Sequence, residues 1–422
     1  MTDLYVDSTA RELADAVRSR RISARELLDL HLDRIARRNP ELNAIVSLDV
    51  ERARAGAAAA DQHLASGAPV GPLHGLPHAF KDTHAVAGWR TTYGSPLYAD
   101  HVPDADDLVV ERIRRAGVVV IGKTNVPEFA AGSHTFNPVF GTTRNPVDPT
   151  RSAGGSSGGA ACALAAGMVP LADGSDMGGS LRNPASFCGV VGLRPSLGRV
   201  PSWPTDNLWE TTSVSGPMAR TVGDVALLLS VLAGPDPRVP TALGDPGAMF
   251  APPVSGSLRG LRVAWSPDLG GAFEVDAEVR AVIETAGRAF ARAGARVFGD
   301  HPDLRVADDT FRTLRAWSFQ ARFGSLLAEQ PDAFKSSLAD NIRAGERLAG
   351  ADVARAYAQR TALADTMRRF FQSYDVLLLP VSQVPPFSAD QEYPTEINGR
   401  PMETYLDWMR SSYLITVTGC PA

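Results

Sequence analysis

Two serines in glycine-rich stretches are the residues of this sequence that packing explains least. Ser156 lies in the stretch 154–159, Gly-Gly-Ser-Ser-Gly-Gly, and Ser180 follows Gly178 and Gly179. Glycine lets the backbone approach a ligand closely, and N–H groups that converge beside a serine are what an oxyanion hole needs. A plain loop or an anion-binding turn has the same composition. No Gly-Lys-Ser/Thr ending is present, which disfavours a phosphate loop.

A lysine at the end of an apolar stretch is the third candidate for chemistry. Lys81 closes the segment 76–81, Leu-Pro-His-Ala-Phe-Lys. Burial favours the neutral amine, and a neutral amine can accept a proton near pH 7. An ion pair with Asp82 is the ordinary alternative. Taken singly, each of these three features has a structural explanation.

The elements that position these residues alternate between helices and short buried strands. We expect helices over 8–38 (two, capped by Ser8 and Ser23), 50–66, 106–116, 158–172, 222–233, 276–294 and most of 305–373. We expect strands over 118–121, 261–265, 296–298, 375–380 and 413–418. This order predicts an α/β protein with a mostly parallel or mixed sheet.

Composition excludes several classes of protein. The chain has 422 residues, 44% hydrophobic and 21% charged, which is enough for one large α/β enzyme with a buried core. The net charge of −5 argues against a nucleic-acid partner. No apolar run reaches the roughly 18 residues of a membrane span, so no membrane partner is expected.

The cysteines and the N-terminus bear on location. Three sparse cysteines form neither a disulfide framework nor a zinc site. The stretch Met1 to Asp7 carries acidic residues and no apolar core, unlike a secretory signal. We therefore expect a cytoplasmic protein without a metal or other cofactor.

The combination of motifs is more specific than any one of them. The stretches 154–159, 174–185 (Gly-Ser-Asp-Met-Gly-Gly-Ser-Leu-Arg-Asn-Pro-Ala) and 187–195 (Phe-Cys-Gly-Val-Val-Gly-Leu-Arg-Pro) occur in order. Upstream stand 71–77, Lys81-Asp82, Gly122-Lys123-Thr124-Asn125 and Asn145-Pro146. Together they resemble the amidase signature family, which includes bacterial amidases and fatty acid amide hydrolase. The resemblance runs from about residue 8 to 422 and is specific over 71–220.

The resemblance implies a fold and a mechanism. It implies the amidase signature fold, a central mixed twisted β-sheet covered by helices on both faces, as a single domain over 1–422. It implies a Ser–cisSer–Lys triad, in which Ser180 is the nucleophile, Ser156 the bridging serine after a cis peptide, and Lys81 the base. A serine hydroxyl needs such a neighbour to take its proton. Lys123 is the rival lysine, but it stands in a different family segment.

The resemblance also assigns supporting roles. The oxyanion donors would be the backbone N–H groups of Met177, Gly178, Gly179 and Ser180. Asp176 and Arg182 would hold the nucleophile loop as an ion pair, and Ser157 and Ser175 would supply hydrogen bonds. The family usually has Thr where Ser175 and Met177 stand. None of the eight histidines is needed; His74, His78, His84 and His134 are expected to serve packing or the surface.

The substrate is the least specified part of the prediction. The variable cleft segments lie at about 200–350, with the acyl pocket predicted at 200–212 and 310–345. Gly155, Trp203 and Trp209 are predicted to contact substrate, and Phe311, Trp317 and Phe319 to line an apolar pocket, although core packing explains aromatic residues equally well.

Three functions are compatible with these motifs. A small-molecule amidase without a cofactor is the first. The glutaminase (A) subunit of a tRNA-dependent amidotransferase is the second, but that subunit usually reads Pro-Thr-Tyr-Gly-Arg-Val-Ser where this chain has Pro-Ser-Leu-Gly-Arg-Val-Pro at 195–201. A truncated, inactive member is the third. Family members usually continue beyond 418–422, so we expect late family strands to be missing and an exposed apolar sheet edge near 414–417 that favours a homodimer or poor solubility.

Overall fold

The computed structural model describes residues 7–422. The sequence-based interpretation of the stretch from Met1 to Asp7 therefore lies, apart from Asp7, outside the described residues. Within them, no helix has both the length and the apolar character needed to cross a bilayer.

Twelve α-helices lie in the described part of the chain. They are α1 (Ala10–Arg18), α2 (Ala24–Leu42), α3 (Val50–Ala65), α4 (Leu108–Arg115), α5 (Gly158–Ala165), α6 (Arg182–Cys188), α7 (Val222–Leu232), α8 (Ala277–Arg292), α9 (Ala307–Glu329), α10 (Ser336–Glu346), α11 (Gly350–Ser373) and α12 (Arg410–Thr416). Ser23 caps α2 in a capping box with Glu26, as predicted. Thr9, and not the predicted Ser8, caps α1 in the same way with Glu12.

The strands form several small sheets in place of one continuous ladder. The strands are β1 (Ile45–Leu48), β2 (Pro77–Lys81), β3 (Val119–Thr124), β4 (Phe136–Asn137), β5 (Gly141–Thr142), β6 (Leu171–Asp176), β7 (Val191–Gly192), β8 (Val214–Ala219), β9 (Arg262–Trp265), β10 (Arg296–Gly299), β11 (Val376–Leu378), β12 (Glu396–Ile397) and β13 (Arg400–Pro401). Across residues 7–422 the three-stranded orders are β1-β3-β2, β6-β8-β7 and β10-β9-β11. The predicted α/β class with mixed strand pairing is confirmed.

Two of these sheets meet where the candidate residues lie. Strand β2 pairs parallel to β3, with Lys81 opposite Thr124, and β6 pairs antiparallel to β8. Strands β2 and β6 are neighbours. The Asp173 carboxylate on β6 accepts the Lys81 backbone N–H at 3.2 Å, so a side chain joins the two sheets at this point.

Helix α5 packs against β2, β6 and β8 with small side chains. All but its last residue are buried. A Cβ on Gly159 would lie 2.3 Å from the Asn125 backbone nitrogen, so only glycine permits this approach. The helix ends at Ala165, earlier than predicted, because the chain turns there to start β6 at Leu171.

The C-terminal segment corrects one prediction. The strand expected over 413–418 is absent, and helix α12 occupies this position. Leu414, Ile415 and Val417 are buried against the helices and loops of one apolar cluster. The predicted exposed sheet edge near 414–417 is therefore wrong, and it no longer supports a homodimer.

Candidate active site

Lys81 lies at the end of β2 with its amine surrounded by hydroxyl groups. The side chain is fully buried. Its Nζ lies 2.8 Å from Ser156 Oγ, 2.9 Å from Ser157 Oγ and 2.9 Å from Ser175 Oγ. The structure thus brings together two residues of the predicted triad and both predicted supporting serines.

The surroundings of Lys81 favour its neutral form. Burial lowers the pKa of Lys81 to about 7, although the carboxylates of Asp173 and Asp176 act in the opposite direction. A substantial fraction of this amine is therefore neutral near pH 7. A neutral amine has a lone pair that can accept a proton from one of the three hydroxyls.

The glycine-rich loop presents Ser156 to this amine. The Gly155–Ser156 peptide is cis, as the resemblance implied. The Ser157 N–H donates to the Ser180 carbonyl at 3.2 Å, which joins the two serine loops. Gly155 packs against a neighbouring loop, since a Cβ there would lie 2.9 Å from the His134 nitrogen. Gly155 was predicted to contact substrate, but it does not line the cavity.

Ser180 follows β6 and opens onto a cavity of about 730 Å³. The Gly179 N–H, a predicted oxyanion donor, donates to Asp176 Oδ1 at 2.9 Å. Among residues 7–422, no atom accepts a hydrogen bond from the backbone N–H groups of Met177, Gly178 or Ser180. These three N–H groups can therefore donate to a ligand oxygen. In the described part of the chain, no hydrogen bond joins the hydroxyl groups of Ser180 and Ser156.

A buried charge cluster fixes the loop that carries Ser180. Asp176 receives two hydrogen bonds from Arg182, at 3.0 and 2.9 Å, and also contacts Arg194. Burial raises the pKa of Asp176, but the two guanidinium groups outweigh it and hold the pKa well below its usual range. The Leu181 N–H donates to the same carboxylate. The ion pair expected between Asp176 and Arg182 is present.

The predicted substrate residues are divided between the cavity and other surroundings. Trp203 and Phe319 line the cavity. Trp209 is 67% exposed and does not line it. Phe311 instead stacks on Tyr413, with ring centroids 4.3 Å apart, and Trp317 packs edge-on against Tyr357.

The rival lysine, Lys123, lies on β3 away from the serines. Its Nζ donates to the His84 carbonyl and to Thr91 Oγ1, and it lies 3.8 Å from Asp82 Oδ1. Burial lowers the pKa of Lys123 to about 8, opposed by the charge of Asp82. It makes no hydrogen bond to Ser156 in the described part of the chain.

Sequence reasoning missed a buried histidine–carboxylate network below Lys81. Asp173 accepts hydrogen bonds from His78 Nε2 at 2.9 Å and His84 Nδ1 at 2.5 Å. Burial raises the pKa of Asp173, but these hydrogen bonds outweigh it and keep the carboxyl ionised. The packing role expected for His78 and His84 therefore includes fixing the carboxylate that holds the Lys81 backbone.

Arg315 on α9 was also missed, although it lies inside the segment 310–345 that sequence reasoning assigned to the cleft. It lines the cavity together with Met177 and Ser180. A signal was available in the sequence. No acidic residue stands three or four positions from Arg315, whereas Arg312 has Asp308 and Asp309 at that spacing.

Known proteins are similar to this chain over almost its whole length. A family model described as Amidase matches residues 26–422. The acylamidase of Rhodococcus erythropolis is 38% identical over 404 residues, covering 95% of this chain and 84% of the relative. A glutamyl-tRNA(Gln) amidotransferase subunit of Synechococcus sp. (strain CC9605) is 36% identical over 408 residues, covering 91% and 83%.

A solved structure agrees with this assignment. A bacterial aryl acylamidase of the amidase signature family has a TM-score of 0.90 at 30% identity, covering 98% of this chain and 88% of that chain. The family match and the extent of these similarities place the chain within one family. The chain belongs to the amidase signature family and is an amidase, a hydrolase that acts on amide C–N bonds.

Proposed function

We propose that this protein cleaves a small-molecule carboxylic amide to an acid and an amine or ammonia through a Ser–cisSer–Lys triad. Ser180 is the nucleophile, Ser156 the bridging serine and Lys81 the base. The observation that carries the proposal is the buried Lys81 amine, whose Nζ lies 2.8 Å from Ser156 Oγ. A lysine with a pKa of about 7 is suited to proton transfer at neutral pH.

The reaction begins with a proton relay. Neutral Lys81 accepts a proton from Ser156 while Ser156 accepts one from Ser180, and Ser180 Oγ attacks the amide carbon. The N–H groups of Met177, Gly178 and Ser180 stabilise the negative charge on the former carbonyl oxygen. Hydrogen bonds of this kind often tighten only when substrate binds, which is consistent with the separate serine hydroxyls.

The same relay completes the reaction. Return of the proton from Lys81 through Ser156 to the amide nitrogen lets the C–N bond break and the amine leave. The acyl group then remains as an ester on Ser180. Water gives a proton to the relay, attacks this ester and releases the acid, which restores the free Ser180 hydroxyl.

The relatives support a small-molecule substrate. The Rhodococcus erythropolis relative is an acylamidase and the solved neighbour an aryl acylamidase. The similarity to the Synechococcus amidotransferase protein supports a second candidate, the glutaminase of a tRNA-dependent complex. Ammonia release from free glutamine, measured against release from simple amides, separates the two candidates.

Substitution of the proposed nucleophile tests the mechanism. Ser180→Ala should reduce amide hydrolysis by at least about 10³-fold, because the covalent route is lost. A fluorophosphonate probe should label Ser180 in the wild-type chain, as located by peptide mass spectrometry. Ser255→Ala, which alters an exposed serine outside the cavity lining, is the control. Substantial activity in purified Ser180→Ala would refute the assignment of the nucleophile.

A further inference from the structure

Arg315 places a buried cation in the wall of the catalytic cavity. Arg315 is only 4% exposed. The side chain lines the same cavity as Gly178 and Ser180. Its Nη1 lies 3.2 Å from the Met177 sulfur, so the guanidinium adjoins the loop that carries the proposed nucleophile.

The partners of Arg315 are all uncharged. Nε donates to Asn341 Oδ1 at 3.1 Å, and Nη2 donates to the Tyr405 hydroxyl at 2.8 Å. The guanidinium also lies over the Phe319 ring, 4.1 Å from its centroid. A guanidinium has five N–H donors. Three of them are used here, and one of these three donates only to the thioether of Met177. The remaining donors are available to a ligand.

No carboxylate neutralises this charge. Among the described residues, Arg315 forms no ion pair, although Asp107, Asp206 and Glu210 also line the cavity. By contrast, the buried Arg182 and Arg194 both pair with Asp176. A buried charge without a counter-ion is costly. Contact with the aromatic ring offsets part of that cost, and a bound anion would offset more.

We propose that Arg315 binds a carboxylate of the substrate, so that the preferred substrates are amides that also carry a carboxylate group. The inference rests on the proposed function, because it takes the Ser180 loop as the reacting centre. A planar guanidinium with two free donors matches a carboxylate. Because Arg315 contacts Met177 on the Ser180 loop, a carboxylate bound there would lie near the scissile amide. It would therefore belong to the same substrate molecule, on the acyl part or on the amine part.

Matched substrate pairs test the charge directly. Succinamate and isocaproamide have nearly the same shape and differ in the carboxylate on the acyl part. N-benzoylglycine and N-isobutylbenzamide differ in the same way on the amine part. In at least one pair, wild-type kcat/KM should favour the anionic member by roughly 10- to 100-fold, as expected for hydrogen bonds to a charged group. The pair that shows the preference identifies the part that carries the carboxylate.

Two arginine variants on α9 make the test specific. Arg315→Met should bring the ratio of the two kcat/KM values close to one, and Arg315→Lys should restore part of the preference. The ratio is measured on one preparation, so loss of folded enzyme cancels. Arg322→Met is the matched control, because Arg322 lies on the same helix and cavity wall but is exposed. Absence of a preference in the wild type, or an equal or larger change in Arg322→Met, would overturn the proposal.

Binding separates this proposal from the proposed mechanism. Succinamate and N-benzoylglycine are titrated calorimetrically into Ser180→Ala and into the double variant with Arg315→Met. At least one should bind Ser180→Ala, with roughly 10- to 100-fold weaker binding in the double variant. The role of Arg315 is refuted if the two variants bind each compound equally well, or if Ser180→Ala binds neither compound. This holds even if Ser180 is the nucleophile. Turnover by Ser180→Ala refutes the nucleophile, while the substrate ratios still decide the role of Arg315.

Discussion

At the scale of single residues, burial and charge act in opposite directions on Lys81. Removal from water lowers its pKa, while the ionised Asp173 and Asp176 raise it, and the result is a pKa of about 7. A fully solvated lysine has a pKa near 10.4 and is almost never neutral at pH 7. The proposed base is therefore available because its carboxylates are close enough to moderate the effect of burial without cancelling it.

The pH dependence of catalysis follows from this pKa. Since only neutral Lys81 accepts a proton, kcat/KM should rise with pH, with a midpoint near 7, and then level off. Initial rates from about pH 5 to 9 at constant ionic strength measure this profile. Asp173→Asn removes a charge that raises the pKa, so the midpoint should move to lower pH. A profile that falls with pH across the neutral range would contradict Lys81 as the base.

The two buried lysines should differ in what they contribute. Lys81→Ala should lower kcat/KM by about 10²- to 10⁴-fold, the usual contribution of a positioned base. Lys123→Ala should retain more activity per folded molecule, because its amine contacts His84, Thr91 and Asp82 and not Ser156. Its main effect should be on thermal unfolding, since the buried Asp82 would lose its nearby cation. Equal losses of activity would mean that the base is misassigned.

Sequence motifs predicted the candidate residues where chemistry is local and missed them where it is not. Ser156, Ser157 and Ser180 stand in glycine-rich stretches that are visible in the sequence. Asp173 owes its role to contacts with His78, Lys81 and His84, which lie about ninety positions earlier in the chain. The sequence shows that Arg315 has no acidic residue at helical spacing, but only the fold shows that no distant carboxylate pairs with it.

At the scale of elements, periodicity predicted an amphipathic helix and several short strands closely, but it did not predict the last apolar segment. The helix expected over 276–294 runs from Ala277 to Arg292, close to the prediction. The run 413–418 is six apolar or small polar residues long, and such a run fits a buried strand and a buried helix equally well. It is helical as far as Thr416, and its residues pack against α9 and the apolar cluster around Trp408.

The charge cluster that joins α6, β6 and α12 should be a major source of stability. Arg182 pairs with Asp176 and also donates to the Ser412 carbonyl and to Thr416 Oγ1 on α12, both at 2.9 Å. Arg182→Met should lower the free energy of unfolding by roughly 3–5 kcal/mol, because a buried carboxylate loses one of its two cations. Denaturant unfolding measures the loss.

A surface pair provides the control for that measurement. Arg305 forms an exposed ion pair with Asp303, and such pairs contribute little because water screens them. Arg305→Met should therefore leave the unfolding midpoint almost unchanged. If the two arginine variants unfold alike, the buried cluster does not hold α12 to the nucleophile loop in the way its contacts indicate.

At the scale of the whole molecule, the last helix supports a loop more than two hundred residues earlier in the chain. Besides Arg182, the contact between the Ser180 loop and α12 includes Gly178, where an added Cβ would lie 3.9 Å from Tyr413 Cβ on α12 and 3.1 Å from Cε of Met409, the residue before the helix. Sequence periodicity could not predict this arrangement, because it depends on a contact between distant segments. Every residue of α12 from Ser411 to Thr416 is buried, and this contact is one of several that enclose the helix.

Gly179 is the residue at which this long-range contact can be tested. Its φ is +115°, and an added Cβ would lie 2.6 Å from Ser412 Cβ on α12. Gly179→Ala should therefore both strain the backbone, by about 1–3 kcal/mol, and push α12 away from the Ser180 loop. We expect a lower unfolding midpoint and a loss of kcat/KM larger than the loss of folded protein explains.

Two further variants separate backbone strain from the clash with α12. Gly189→Ala also has a positive φ, +70°, but nothing lies within 4 Å of the added Cβ, so it should show strain without a clash. Ser412→Gly removes the atom that Gly179→Ala would strike. The double variant Gly179→Ala/Ser412→Gly should recover part of the lost activity and stability, giving a favourable coupling energy in a double-mutant cycle. Strictly additive effects would show that the final helix does not buttress the nucleophile loop at this contact.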